Sequence, residues 1–165
     1  MRAILLMCSL CLTGCSPKSE NYPAESSLNT NPTQAQPKLP TIRLFVGDQV
    51  VNAEFAHTLQ AEITGMMFRT NLTDQDAMFF IFPYPGHQEF WGKNCDSLDV
   101  AYINPAGLIV DINTMAAGQT NPVPSSTDTI QFALETRNGW FKDHNLHTGT
   151  IVTTDHGPLT RPANQ

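Results

Sequence analysis

Along residues 41–155 the apolar side chains fall mostly at alternate positions, the period of a strand with one face toward a core. Ile42, Leu44 and Val46 alternate with Thr41, Arg43 and Phe45; Gly47-Asp48 interrupts the run, and Val51, Ala53 and Phe55 resume it, the pattern of a hairpin. Over residues 57–66 the period changes. Leu59, Ile63 and Met66 stand at helical spacing behind a capping residue, Thr58, and before a stop, Gly65, which predicts a helix of about two turns. Ala77-Met78-Phe79-Phe80-Ile81-Phe82 is an unbroken apolar run halted by Pro83 and Pro85, as expected of a strand buried on both faces. Residues 99–103 and 108–112 flank the turn Asn104-Pro105-Ala106-Gly107 and predict a second hairpin. Residues 130–136 and 150–153 supply further strands, and residues 138–146 a second short helix. The sum, about seven or eight short strands with two helical turns, predicts a mainly β domain built on an antiparallel sheet closed or sandwiched on itself.

The pattern breaks at both ends. Arg2 precedes an apolar stretch from Ala3 to Leu12, far short of the roughly 20 residues a spanning helix needs, so residues 1–14 are expected to be an export signal. Leu12-Thr13-Gly14-Cys15 resembles the bacterial lipoprotein cleavage box, in which the chain is cut before a cysteine whose thiol carries a diacylglycerol. Cys15 is therefore the expected lipidation site and the membrane the expected partner, since acyl chains buried at about 0.8 kcal/mol per CH₂ hold a domain to a surface. The alternative is an ordinary secretory signal cut a few residues later. Ser16, where enterobacterial inner-membrane lipoproteins resemble one another in having Asp, favours an outer-membrane address in an organism that has one. Residues 15–40, rich in Pro, Ser, Asn and Gln, are expected to form a disordered tether, and residues 156–165 a flexible tail.

Composition narrows the choice of partners. Charged residues make up 15% of the 165, below the usual share of about 25%, which argues against a heptad-rich helical protein. The chain carries a net charge of −6, and residues 41–155 hold only Arg43, Arg69, Lys93, Arg137 and Lys142 against 13 Asp and Glu. Nothing in that balance favours nucleic acid, which is bound through clustered Lys and Arg. Of the 4 cysteines, Cys8 and Cys11 would leave with the signal and Cys15 would carry lipid. Cys95 would then be alone, so no intramolecular disulfide is expected.

The densest chemistry lies in Phe90-Trp91-Gly92-Lys93-Asn94-Cys95-Asp96-Ser97-Leu98-Asp99, where a strand meets a loop and aromatic, cationic, amide and carboxylate groups gather. The plainer reading makes it structural: Lys93 pairs with Asp99 or Glu135, Asn94 serves a turn and Trp91 fills the core. His144 and His147 have a spacing that on a helix would aim both rings at one metal, but no third ligand stands at a recognisable distance, and no metal or cofactor is expected. Cys95 has Lys93 two residues away yet no Cys-His-Asn order around it. Met66, Met67 and Met78 with Phe68, Phe79, Phe80 and Phe82 could line a greasy pocket or simply pack the core.

Five blocks in order, Gly65-Met66-Met67-Phe68-Arg69, Met78-Phe79-Phe80-Ile81-Phe82, Phe90-Trp91-Gly92-Lys93-Asn94, Leu98-Asp99-Val100, and Ala133-Leu134-Glu135 with Gly139-Trp140-Phe141, resemble the "domain of unknown function 192" family over residues 44–153. The resemblance implies an antiparallel β-sandwich or barrel of jelly-roll type with short helices, in members that are often exported or lipid-anchored. It also groups Arg69, Trp91, Lys93, Asn94, Asp99 and Glu135 as one polar and aromatic cluster. Two departures stand out: Gly92 where the family usually has Met, which would leave room beside Trp91, and Cys95 where it has Thr. Asp96-Ser97 replaces a common Ile-Pro. Since the family has no assigned activity, the fold carries no reaction with it.

Three functional expectations result. The first is a lipid-anchored cell-envelope module that binds a small molecule, saccharide or envelope component through Trp91, Lys93, Asn94 and Asp99. The second is an envelope enzyme with Asp99 or Glu135 as general base and Lys93 as electrostatic stabiliser. In the third the polar cluster is a buried ion-pair network that serves folding alone.

Overall fold

The computed structural model describes residues 28–159. Strands β1 (Thr41–Val46) and β2 (Gln49–Ala56) form the expected hairpin around Gly47, whose φ of 60° suits a residue without a Cβ. Helix α1 (Leu59–Thr64) begins where Thr58 accepts a hydrogen bond from the Ala61 N–H at 3.2 Å and ends at Gly65. It carries the chain back to β3 (Ala77–Gly86), which lies parallel to β2. Then come β4 (Glu89–Phe90), β5 (Leu98–Ile103), β6 (Ile109–Met115), β7 (Val123–Pro124), β8 (Ile130–Arg137), α2 (Trp140–Asp143), β9 (Val152–Thr154) and β10 (Gly157–Pro158).

Eight strands make one sheet in the order β10-β9-β1-β2-β3-β8-β5-β6, and β4 and β7 pair separately. The sheet curls into a half-barrel. A bridge between Leu108 and Ile151, with the Val152 N–H donating to the Gly107 carbonyl at 2.7 Å, brings its β6 end against its β9 end. The mainly β class with two short helices holds. The expected purely antiparallel pairing is corrected: the large sheet is mixed, because the α1 crossover returns the chain beside β2 in the same direction, as only a long connection can.

Both faces of the sheet are covered, which explains the unbroken apolar run of β3. Phe79 points with Leu44, Ala101, Phe132 and Trp140 into one core cluster, while Met78, Phe80 and Phe82 point with Val100, Tyr102 and Met66 into the other. Each fully buried Phe contributes about 1.5–3 kcal/mol by leaving water, so the central strands are a main source of the domain's stability. The β3 strand runs on past Pro83 and Pro85 to Gly86, but its ladder to β8 is interrupted between Ile81 and Gly86. Prolines, lacking an N–H, require that gap. Helix α2 is one turn rather than the expected nine residues, because Gly139 at φ 81° and Asn145 at φ 54° close it on either side.

The ends of the domain reach further than the sequence suggested. Gln36 donates to the Ala61 and Gly65 carbonyls at 3.2 and 2.8 Å, and the Phe55 N–H donates to the Pro40 carbonyl at 2.8 Å, so the outer part of the expected tether lies against β2 and α1. At the other end β10 pairs with β9 and Leu159 is buried. The expected signal, Cys15 and residues 16–27 of the tether lie outside the described residues.

Candidate functional site

Helix α1 and the turn after it stand over the β3–β8–β5 face without filling the space beneath. The result is a cavity of about 390 Å³. Phe80 and Phe82 come from β3, Phe90 from β4, Leu98 from β5, and Met66 and Met67 from the turn. Phe90 holds the wall together edge-on, its ring 5.0 Å from Phe80 and 5.8 Å from Tyr102. At the mouth stand Trp91 and Leu59, 42% and 54% exposed, large apolar side chains that the fold leaves in water.

Among the described lining residues four groups can titrate, Glu62, Glu89, Cys95 and Glu135, and none is Lys, Arg or His. Glu135 is only 3% exposed, and its Oε2 has no hydrogen-bond partner among the described residues. Gly65 is its neighbour: a Cβ built there would lie 3.6 Å from that oxygen, in ordinary contact. Burial pushes the Glu135 carboxyl up to about 8, against the pull of the Arg69 charge and a Met66 backbone N–H, so it is mostly protonated at neutral pH. Burial likewise raises Glu62 to about 7. The Cys95 thiol is pushed up to about 12 by burial and then by the charges of Glu135 and Asp96, which leaves it an inert thiol and no nucleophile.

The six residues grouped in the sequence separate in space. Trp91 and Glu135 meet at this cavity. Arg69 instead forks onto Glu54 of β2, Nη1 on Oε1 and Nη2 on Oε2 at 2.8 Å. Lys93 is half-buried beside Trp91 in a neighbouring cleft and forms no ion pair among the described residues, so the expected pairing with Asp99 or Glu135 is corrected. Asp99 is buried and occupied, accepting from Thr114 Oγ1 at 2.7 Å, the Gly139 N–H at 2.8 Å and Asn138 Nδ2 at 3.3 Å, which ties β5 to β6 and to the approach of α2. Asn94 is exposed at φ 56°, and its carbonyl accepts from the Phe68 N–H, the turn role of the plainer reading. An open cleft holding Asp99 or Glu135 beside Lys93, which general-base chemistry would need, is not formed.

Three other expectations resolve here. Gly92 leaves no room beside Trp91: a Cβ on it would come within 2.2 Å of the Ala116 carbonyl oxygen, so the backbone of Ala116 already fills the space. His144 and His147 lie beyond α2, with Nδ1 of each against a backbone carbonyl, of Trp140 and Thr148 respectively, at 2.8 Å, and no group of metal-ligating side chains occurs among the described residues. Of the greasy residues, Met66, Met67, Phe80 and Phe82 line the cavity while Phe79 faces the opposite core. Glu62 was missed, although it shares the Leu59 and Ile63 face of α1 at helical spacing.

No curated protein matches the chain. Among solved structures it is similar to a candidate transcription regulator from Sinorhizobium meliloti 1021, at TM-score 0.67 and 19% identity over 73% of this chain and 98% of that one. It is also similar to a protein of unknown function from Novosphingobium aromaticivorans DSM 12444, at TM-score 0.66 and 25% identity over 72% and 89% of the two chains. At that level the first likeness speaks to the fold alone. The model of the domain of unknown function 192 family (DUF192, "Uncharacterized ACR") matches residues 42–154, and the chain belongs to that family.

Proposed function

We propose that this is a lipid-anchored domain of the cell envelope that binds a small, largely apolar molecule in the cavity beneath Trp91. The observation that carries the reading is the Glu135 carboxyl, buried at an apolar cavity with one oxygen unpartnered. Leaving such a group unsatisfied costs about 1–3 kcal/mol, a cost that a bound polar head would relieve. The walls favour an apolar body over a saccharide, because Phe80, Phe82, Phe90, Met66 and Leu98 offer a sugar's hydroxyls no partners. Binding at the Lys93, Asn94 and Asp99 surface has less support, since Asp99 is already occupied.

A thermal-shift screen tests the reading with two panels, short apolar compounds bearing one polar head and envelope saccharides. Ligand at a hundred times its Kd adds about 2.7 kcal/mol of stability, so the first panel should raise the melting temperature and the second should not. Silence from both would overturn it. Trp91 is exposed while Trp140 is buried, so a shift in tryptophan emission on binding reports the mouth of the cavity. The anchor is tested separately: radiolabelled palmitate should enter the wild type, and equal labelling of Cys15→Ala would refute lipidation.

A further inference from the structure

We infer that the occupant of this cavity is an organic cation, an ammonium head carried on a hydrophobic body, with Glu135 as its counter-ion. The inference rests on the cavity-binding reading above and adds the chemical class of the ligand. Three features of the lining point the same way. Every ionisable side chain in it is an acid or a thiol: Glu62, Glu89, Glu135 and Cys95. Four of its residues are aromatic, Phe80, Phe82, Phe90 and Trp91, and aromatic rings attract a desolvated cation through their quadrupoles. The Glu135 carboxyl lines the cavity with its Oε2 buried and unpartnered among the described residues, an acceptor to which a ligand's N–H would give a role. An anionic ligand would meet acids and, among the described lining residues, no base.

The protein withholds its own cation from this position. Arg69 is close enough to influence Glu135, yet both arms of its guanidinium are committed to Glu54. Lys38 is also on Glu54, at 3.1 Å, and on Asp76 at 3.3 Å, and Lys93 lines the adjoining cleft beside Trp91 rather than this cavity. The charged and titratable groups around Glu135 are thus Glu62 on α1, Arg69 with its partner Glu54, Glu89 on β4, Cys95 before β5 and Tyr102 on β5, while β3 contributes only Met78 and Phe80. Docking an ammonium against Glu135 ionises it: the carboxyl O–H breaks, its proton passes to solvent, and the carboxylate keeps the electron pair and accepts the ligand's N–H. Below about pH 8 binding therefore releases a proton, and affinity rises with pH until Glu135 is ionised beforehand. A neutral ligand that accepts a hydrogen bond from the protonated acid would show the reverse, losing affinity above that pH.

Calorimetric titration of the wild-type protein with n-octylammonium, n-octanol and n-octanoate at pH 6.5, 7.5 and 8.5 separates these cases. An alkylammonium stays charged across that range, as a lysine of pKa roughly 10.4 does. The expected result is octylammonium at least about tenfold tighter than octanol at pH 8.5, with its Kd improving by up to about tenfold per pH unit below 8 and octanoate weakest. Octanol binding as tightly as octylammonium, or an ammonium affinity that is flat or falls with pH, would overturn the cation and leave the cavity reading standing. Absence of binding by all three would remove the cavity reading and the cation with it. Glu135→Gln should bring octylammonium down to the level of octanol without changing octanol; a persisting ammonium preference in that variant also overturns the assignment.

Discussion

Glu54 and Glu135 lie on one row of the sheet, each in register with Met78 between them, and both are buried, at 5% and 3% exposure. They end in opposite states. Glu54 receives the Arg69 fork, the Leu39 N–H at 2.8 Å and Lys38 at 3.1 Å, and these hydrogen bonds hold its carboxyl down at about 2 despite burial. Glu135 has burial without those donors and is pushed up to about 8. Two side chains of one type, on adjacent parts of one surface, therefore differ by what has been placed opposite them. The Glu54 end is finished by the chain's own residues and reads as architecture. The Glu135 end is left open at a cavity, which is the reason to regard it as a site.

Removing Arg69 is the strongest way to break this contrast. Arg69→Ala leaves Glu54 buried with its main partner gone, and loss of one member of a buried pair costs about 3–5 kcal/mol. The urea midpoint should drop accordingly, and a loss below about 1 kcal/mol would show that Lys38 and the Leu39 N–H suffice. The sign of the pH dependence follows from the direction of the shift. Because folding lowers the Glu54 pKa, its contribution is present above the ordinary carboxylate range and is lost as pH falls toward about 2. The variant should lose much of that acid sensitivity.

A smaller effect of opposite sign is expected at Glu135. Folding raises this pKa, so the protonated state is favoured in the native protein, and stability declines as pH rises from the unfolded value near 4.5 through about 8. Glu135→Gln keeps the shape and abolishes the titration. It should be more stable than wild type by about 1–3 kcal/mol at pH 8 and nearly equal to it at pH 4.5, measured as melting temperature across that range. A variant less stable than wild type at pH 8 would place Glu135 with Glu54, as a structural acid whose partner escaped notice.

Local structure was legible in the chain and long-range pairing was not. Thr58 and Gly65 mark the ends of α1 because caps act within a few residues, and the apolar run of β3 announced burial on both faces because it has no polar side to turn outward. The parallel pairing of β2 with β3 has no such mark, since alternation along a strand carries no direction. The site behaved the same way. Trp91 and Glu135 were named, but the partner of Arg69 stands on β2, 15 residues earlier and outside every motif the sequence displayed. Glu54 reads as the exposed position of an alternating strand until the segment before β1 and the turn after α1 fold over it. The two-residue strands β4 and β7, which set Phe90 against the cavity, are too short for any periodicity to register.

The smallest effect belongs to Lys93, the residue whose loss would be most costly if the polar cluster were one buried network. It makes no ion pair among the described residues and lines a cleft beside Trp91 rather than the cavity that holds Glu135. Lys93→Ala should therefore change stability by no more than about 0.5 kcal/mol, the range of a surface substitution. Measured beside Arg69→Ala under the same conditions, it asks which cation is structural. If Lys93→Ala instead costs several kcal/mol, Lys93 reaches a buried carboxylate in solution, and Glu135, among the described residues the one buried acid with an oxygen still unpartnered, is the group it would reach. That outcome would close the Glu135 end with the chain's own charge and leave no place for an external cation. A negligible cost keeps the two ends of the row distinct, one satisfied from within and one open to a ligand.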